Sequence, residues 1–100
     1  ATAKFYKKYP VSNIEGFAKG DYESVHAGYD PVYANENPNR ILPLDLFKEL
    51  ERNREIGSLY EFYFVTTGNS TSVADATRMG MEIAKELKEA GVDGAIMTST

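Results

Sequence analysis

Apolar positions follow three different patterns along the chain. Up to residue 42 they are aromatics scattered among turn formers: Phe5, Tyr6, Tyr9, Phe17, Tyr22, Tyr29 and Tyr33 between Pro10, Gly16, Gly20, Gly28, Pro31 and Pro38. Aromatics mixed with turn residues predict irregular loops packed onto a surface, not a linker. Within them, Ser24-Val25-His26-Ala27 reads as a short strand or an extended arm. Tyr29-Asp30-Pro31 and Asn37-Pro38-Asn39 read as turns.

Helical periodicity starts at Pro43. Pro suits a first turn, Asp45 complements its positive end, and Leu46, Phe47 and Leu50 recur at helical spacing. This predicts a helix over 43–54, with Gly57 as its stop after Ile56. Residues 61–67, Glu-Phe-Tyr-Phe-Val-Thr-Thr, are β-branched and aromatic without alternation, which predicts a strand covered on both faces. After the turn Gly68-Asn69-Ser70-Thr71, Ser72 caps a helix over 72–90, with Asp75 three residues on as a near capping box. Its apolar stripe is Val73, Ala76, Gly80, Ile83, Ala84 and Leu87, and Gly91 ends it. Residues 92–98 then read as a second strand.

Strand, long helix and strand make a right-handed βαβ unit with two parallel strands. The predicted class is therefore α/β, a three-layer Rossmann-like unit in one partial domain over 1–100. Residues 1–42 are expected to be irregular and 43–100 to run helix, strand, helix, strand. A helix is needed after the second strand to cover the sheet, so the sequence is expected to be a piece of a larger subunit that continues past Thr100.

Composition narrows the functional classes. Net charge is −4 and no Lys/Arg stripe is present, which argues against nucleic acid; Lys4, Lys7 and Lys8 read as a solvated terminus. Without cysteine there is no disulfide, zinc-thiolate site or thiol nucleophile in the chain, and the single His26 builds no His-rich metal site. Met79, Met81 and Met97 read as filler. No apolar run reaches membrane-span length and no signal peptide is visible, so a cytoplasmic location is expected.

In parallel sheets, ligands sit at the carboxyl ends of the strands. Two hydroxyl-rich segments are expected there: Thr66-Thr67-Gly68-Asn69-Ser70-Thr71-Ser72 and Thr98-Ser99-Thr100. The first opens a helix and would suit a carboxylate or phosphate. On spacing alone, helix capping accounts equally for these residues and is the commoner case. A second candidate is His26-Ala27-Gly28-Tyr29-Asp30, offering a base, a phenol and an orienting carboxylate. The structural alternative is a turn, with Gly28 at positive φ and Asp30 bonded to the turn backbone. No Walker or dinucleotide-type glycine loop occurs.

Four stretches carry a resemblance: Val25-His26-Ala27-Gly28-Tyr29-Asp30-Pro31-Val32-Tyr33-Ala34-Asn35, Arg40-Ile41-Leu42-Pro43-Leu44-Asp45, Phe64-Val65-Thr66-Thr67-Gly68-Asn69, and Gly91-Val92-Asp93-Gly94-Ala95-Ile96-Met97-Thr98-Ser99-Thr100. Together they resemble component B, the substrate-binding selenoprotein subunit of the glycine, sarcosine and betaine reductases. The D-proline reductase selenoprotein subunit is a more distant relative, with a similar His-Gly-Gly-Tyr-Asp element. The resemblance implies that selenocysteine follows Thr100, with a short cysteine-containing segment after it. UGA encodes selenocysteine and is read elsewhere as a stop, which fits an end at that point. No catalytic residue would then lie in the chain, and the chain alone would be inactive.

The resemblance further implies an oxidoreductase of anaerobic amino-acid fermentation that cleaves the C–N bond of glycine or an N-methylated glycine. For glycine, the amino acid is activated by a pyruvoyl group on a partner subunit. The selenolate takes the carboxymethyl group and passes it to the small selenoprotein component A, on the way to acetyl phosphate. Thioredoxin supplies electrons. On this reading His26, Tyr29, Asp30, Thr67, Gly68, Asn69, Ser70, Ser99 and Thr100 line the site. Two alternatives stand beside it: a complete small α/β module that binds an anionic metabolite at the 67–72 turn, and a racemase-like or lyase domain, which the lack of cysteine disfavours. An incomplete sheet also predicts self-association of the isolated chain.

Overall fold

The computed structural model describes residues 3–66 and 70–100. In chain order the elements are β1 (Tyr6–Pro10), α1 (Val32–Glu36), a 3-10 turn (Pro38–Arg40), α2 (Leu44–Arg52), β2 (Phe62–Thr66) and α3 (Val73–Glu89). Mixed α and β structure agrees with the expected class.

The sheet differs from expectation. Among the described residues it has two strands, and β2 pairs antiparallel with β1, Tyr6 opposite Thr66 and Pro10 opposite Phe62. The parallel βαβ unit does not form here, because residues 92–98 are not a strand. A strand exists only by pairing, and β1 takes one edge of β2. The start of 92–98 is drawn into closing α3, where the Val92 amide donates to the Leu87 carbonyl at 3.0 Å. Nor is the N-terminal third wholly irregular. Lys7 and Lys8, which read as part of a solvated terminus, lie on β1, the lysines tolerated on an edge strand and Pro10 at its last position.

The two faces of the ribbon are covered differently. On one, Tyr63 meets Phe17 edge-on at 5.4 Å and joins the cluster of Val11, Phe17 and Leu44, with Ile14, Leu42 and Leu59 around it. On the other, Tyr6, Phe62 and Phe64 lie with Tyr60, and the Lys8 ammonium sits 4.5 Å over the Phe62 ring. This second face meets α3 through polar groups: Tyr60 Oη donates to Glu86 Oε2 at 2.8 Å, and Lys8 Nζ donates to Glu86 Oε1 at 3.2 Å. Arg78 of α3 also donates to the Lys4 carbonyl. The unalternating composition of β2 thus reflects two half-covered faces.

The helix ends follow local rules with one exception. Ser72 Oγ accepts from Asp75 N at 3.0 Å and donates to Asp75 Oδ2 at 2.9 Å, so α3 begins where the capping pattern predicts. Gly91, at φ 76°, closes α3 with the paired bonds Gly91 N to Lys88 O and Val92 N to Leu87 O. The exception is α2. Gly57 does not stop it; Arg54 does, at φ 58°, with Arg54 N donating to Glu51 O and Glu55 N to Leu50 O. Of the predicted stripe of α3, Val73 is 84% exposed, and Ala76, Gly80 and Ala84 also face outward. Met79, outside that stripe, is the buried residue of the helix.

Candidate functional site

The loop segments between β1 and α2 are fixed by two asparagine side chains acting as short strand mimics. Asn39 Oδ1 accepts from Phe17 N at 3.0 Å while its Nδ2 donates to Phe17 O at 2.9 Å. The same Oδ1 accepts from Asp45 N at 3.3 Å, one of the free amides at the start of α2. Asn35 treats Ser24 alike, accepting from its N at 2.7 Å and donating to its O at 3.2 Å. These side chains reach 22 and 11 positions along the chain.

The element His26-Ala27-Gly28-Tyr29-Asp30 hangs from the second clamp. It is a tight turn: Tyr29 N donates to His26 O at 3.3 Å, and Gly28 has φ 86°. A side chain at Gly28 would be strained in that left-handed conformation. The His26 and Tyr29 rings stack with centroids 6.1 Å apart. Asp30 Oδ1 accepts from Val32 N at 3.1 Å, which ties the turn to the start of α1. His26 and Tyr29 are half-buried, and Asp30 is exposed.

The end of the chain reaches this turn. Thr100 Oγ1 lies 3.5 Å from His26 Nδ1, and Thr100 is half-buried. Ser99 is exposed, and its Oγ donates to the Thr100 carbonyl at 3.2 Å. The 26–30 and 98–100 segments therefore meet, though not through the mouth of a parallel sheet. The third predicted segment is not brought to them: Ser72 bonds within its own helix cap, and Ser70, at φ 54°, is exposed. Thr67, Gly68 and Asn69 lie outside the described residues.

Residues that sequence reasoning missed are Asn35 and Asn39. The run Asn35, Asn37, Asn39 around Pro38 signals turns, while the clamp partners Ser24 and Phe17 are too far along the chain for spacing to reveal. The shifted protonation equilibria lie around the β-ribbon, at Tyr22, Tyr60, Tyr63 and Glu86. Burial pushes the Tyr63 phenol up, helped by Tyr22, Tyr9 and Asp21. The hydrogen bond from Tyr60 and the Lys8 ammonium hold Glu86 below the usual carboxylate range, while the same bond raises Tyr60. Among the described residues no group of three His, Cys, Asp or Glu is placed to hold a metal, and no helix is long and apolar enough to cross a membrane.

The comparisons with known proteins converge. The family model of glycine/sarcosine/betaine reductase selenoprotein B matches residues 1–100. The chain is 43% identical over its whole length to a glycine reductase complex component B subunit gamma of Carboxydothermus hydrogenoformans. It is 43% identical to a betaine reductase complex component B subunit beta, and 37% identical to a sarcosine reductase complex component B subunit beta, both of Peptoclostridium acidaminophilum. In each case the chain spans 23% of the length of the relative. No solved structure matches it. The resemblance in the four stretches thus extends across the whole chain, which belongs to the glycine/sarcosine/betaine reductase selenoprotein B family.

Proposed function

We infer that this chain forms one part of the substrate-binding selenoprotein subunit of a reductase that cleaves the C–N bond of glycine, sarcosine or betaine. The observation that carries this reading is the family match over residues 1–100, with relatives in all three kinds of complex. Selenocysteine follows Thr100, and its selenolate attacks the α-carbon. The C–Se bond forms as the C–N bond breaks, the nitrogen leaving with the bonding pair. The carboxymethyl group then passes to a small selenoprotein partner and ends as acetyl phosphate, with thioredoxin as reductant. In a glycine-type complex, a pyruvoyl group on another subunit activates the amino acid.

Within that subunit, this chain supplies the wall of the site. A selenolate needs a setting that favours an anion, and the segment 98–100 meets a half-buried imidazole at His26. On this reading Ser99, Thr100, Tyr29 and Asp30 line the same site. Thr67, Gly68, Asn69 and Ser70 supply polar groups for the substrate carboxylate. In the complete subunit, residues 92–98 join β2 as a parallel strand on the edge that β1 leaves open. Ile96 and Met97, 65% and 94% exposed, then become covered.

The gene and the full-length protein test this reading together. An in-frame UGA after the Thr100 codon, followed by a cysteine-containing frame, is expected. The selenium-containing subunit, combined with its partner components, is expected to release the amine from one of the three substrates. A sense codon for another residue, or an ordinary stop with no continuation, overturns it. Hydrogen exchange tests the strand separately: the amides of 95–98 are expected to be protected in the full-length subunit.

A further inference from the structure

The His26–Thr100 contact joins segments 74 positions apart. The imidazole belongs to a braced turn. The His26 carbonyl accepts from Tyr29 N at 3.3 Å, the Tyr29 ring stacks on its own, and the Asn35 amide clamps Ser24 just upstream. Neither His26 nor Thr100 belongs to the buried cluster of Val11, Phe17 and Leu44. The contact therefore contributes little apolar burial. It brings a titratable, hydrogen-bonding ring to the end of the Thr98-Ser99-Thr100 segment.

We propose that His26 is the charge partner and positioning residue of the side chain that follows Thr100, an inference that rests on that side chain being selenocysteine. The covalent chain keeps the next Cα about 3.8 Å from that of Thr100, and Thr100 itself faces His26 Nδ1. An imidazole beside a thiol or selenol accepts its proton and holds the anion as an ion pair. The Se–H bond breaks, an N–H bond forms on the ring, and selenium keeps the electron pair. No electron is gained or lost. Among the described residues Nε2 makes no hydrogen bond and Nδ1 faces only Thr100 Oγ1, since Asp30 is engaged with Val32 N and Tyr29 stacks on the ring. Among the described residues no acid lies within ion-pair distance of His26.

The test uses the full-length subunit with cysteine in place of the residue after Thr100, because a thiol titrates in an accessible range. Its alkylation by iodoacetamide is followed by peptide mass spectrometry across pH. The inflection is expected below the ordinary thiol value of about 8.5. In His26→Gln and His26→Asn it is expected to move up by about one pH unit, which slows alkylation near neutral pH about tenfold. If the ring only props the loop, His26→Asn restores the original profile, since its amide replaces Nδ1; that result, or no movement in either variant, overturns the proposal. A second measurement needs no substitution at His26. NMR of labelled histidine before and after alkylation is expected to show the His26 titration falling when the thiolate is blocked; an unmoved titration also overturns it. If the codon after Thr100 is UGA and these titrations do not respond, the His26 assignment fails and the family reading stands. If the codon is not UGA, the placement of selenocysteine and the His26 assignment both fail, while membership of the family rests on the match over residues 1–100.

Discussion

The Tyr60 hydroxyl donates to Glu86 at 2.8 Å and thereby fastens α3 to the aromatic face of the β-ribbon. Lys8 adds a second bond to the same carboxylate, at 3.2 Å. Much of the apolar stripe of α3 faces outward, so this polar pin, Met79 and the bond from Arg78 to the Lys4 carbonyl carry the helix attachment. The carboxylate titrates below its ordinary value because the folded state supplies Tyr60 and Lys8. Its contribution is therefore complete above the unfolded value of 4.5 and is lost as pH falls through the lower folded value. Acid is expected to detach α3 before the ribbon unpairs, and Glu86→Gln to remove most of that pH dependence. Amide exchange of α3 against that of β2, across acidic pH, measures both. At alkaline pH the sign reverses: the raised phenols of Tyr60 and Tyr63 stabilise fully below about 10 and lose that effect as pH rises through their folded values.

Asn39 is expected to be the most sensitive polar position of the loops. Asn39→Ala deprives Phe17 of both backbone partners and Asp45 N of its acceptor. Stranding partly buried backbone groups costs about 1–3 kcal/mol, and Phe17 itself is buried in the core cluster. Asn39→Asp keeps the acceptor but sets a carboxylate oxygen against the Phe17 carbonyl and Asn37 Oδ1, where Nδ2 donated at 2.9 and 2.8 Å, so it is expected to cost at least as much. Urea unfolding of the two variants under identical conditions checks the ranking; equal stability of Asn39→Ala and the unaltered chain excludes the clamp as a source of stability.

These contacts mark how far the sequence was legible. Local rules placed α3 to within a residue at each end, because Ser72 and Gly91 act on their immediate neighbours. They placed β2 for the same reason, through composition. The partner of β2 was not legible. Tyr-Lys-Lys-Tyr-Pro has too little apolar character to announce a strand, and its pairing is set by Tyr63, Phe64 and Val65 far along the chain. The clamps of Asn35 and Asn39 are equally non-local. In the sequence, only the family resemblance links His26 with Thr100. The end of α2 shows a different failure: Gly57 looked like the natural left-handed residue, yet the chain uses Arg54.

That choice at α2 gives a prediction of increased stability. Arg54 holds φ 58° at the position where a glycine normally closes a helix, and an L side chain there costs about 1 kcal/mol or more. Its side chain is exposed and takes part in no ion pair among the described residues. Arg54→Gly is therefore expected to stabilise the chain by about 1 kcal/mol, less the added freedom glycine gives the unfolded state. Arg54→Ala, which keeps the strain, is expected to change little. A rise in the thermal midpoint for Gly and not for Ala is the signature.

Several apolar residues are left open to solvent. Val73, Met81, Ile96 and Met97 are 84%, 70%, 65% and 94% exposed. Residues 92–98 have no strand partner, and β2 has β1 on one edge among the described residues. Apolar groups and an open strand edge together favour pairing with another chain. The isolated chain is expected to self-associate at micromolar to millimolar concentration, with a sedimentation coefficient that rises with loading. Ile96→Lys combined with Met97→Asp is expected to shift it toward monomer without changing the far-ultraviolet dichroism, since neither residue packs in the core cluster. In the full-length subunit the same double substitution is expected to impair folding, because there these residues would be covered. Monomeric behaviour of the unaltered chain at high concentration would show that the exposed segment does not drive association.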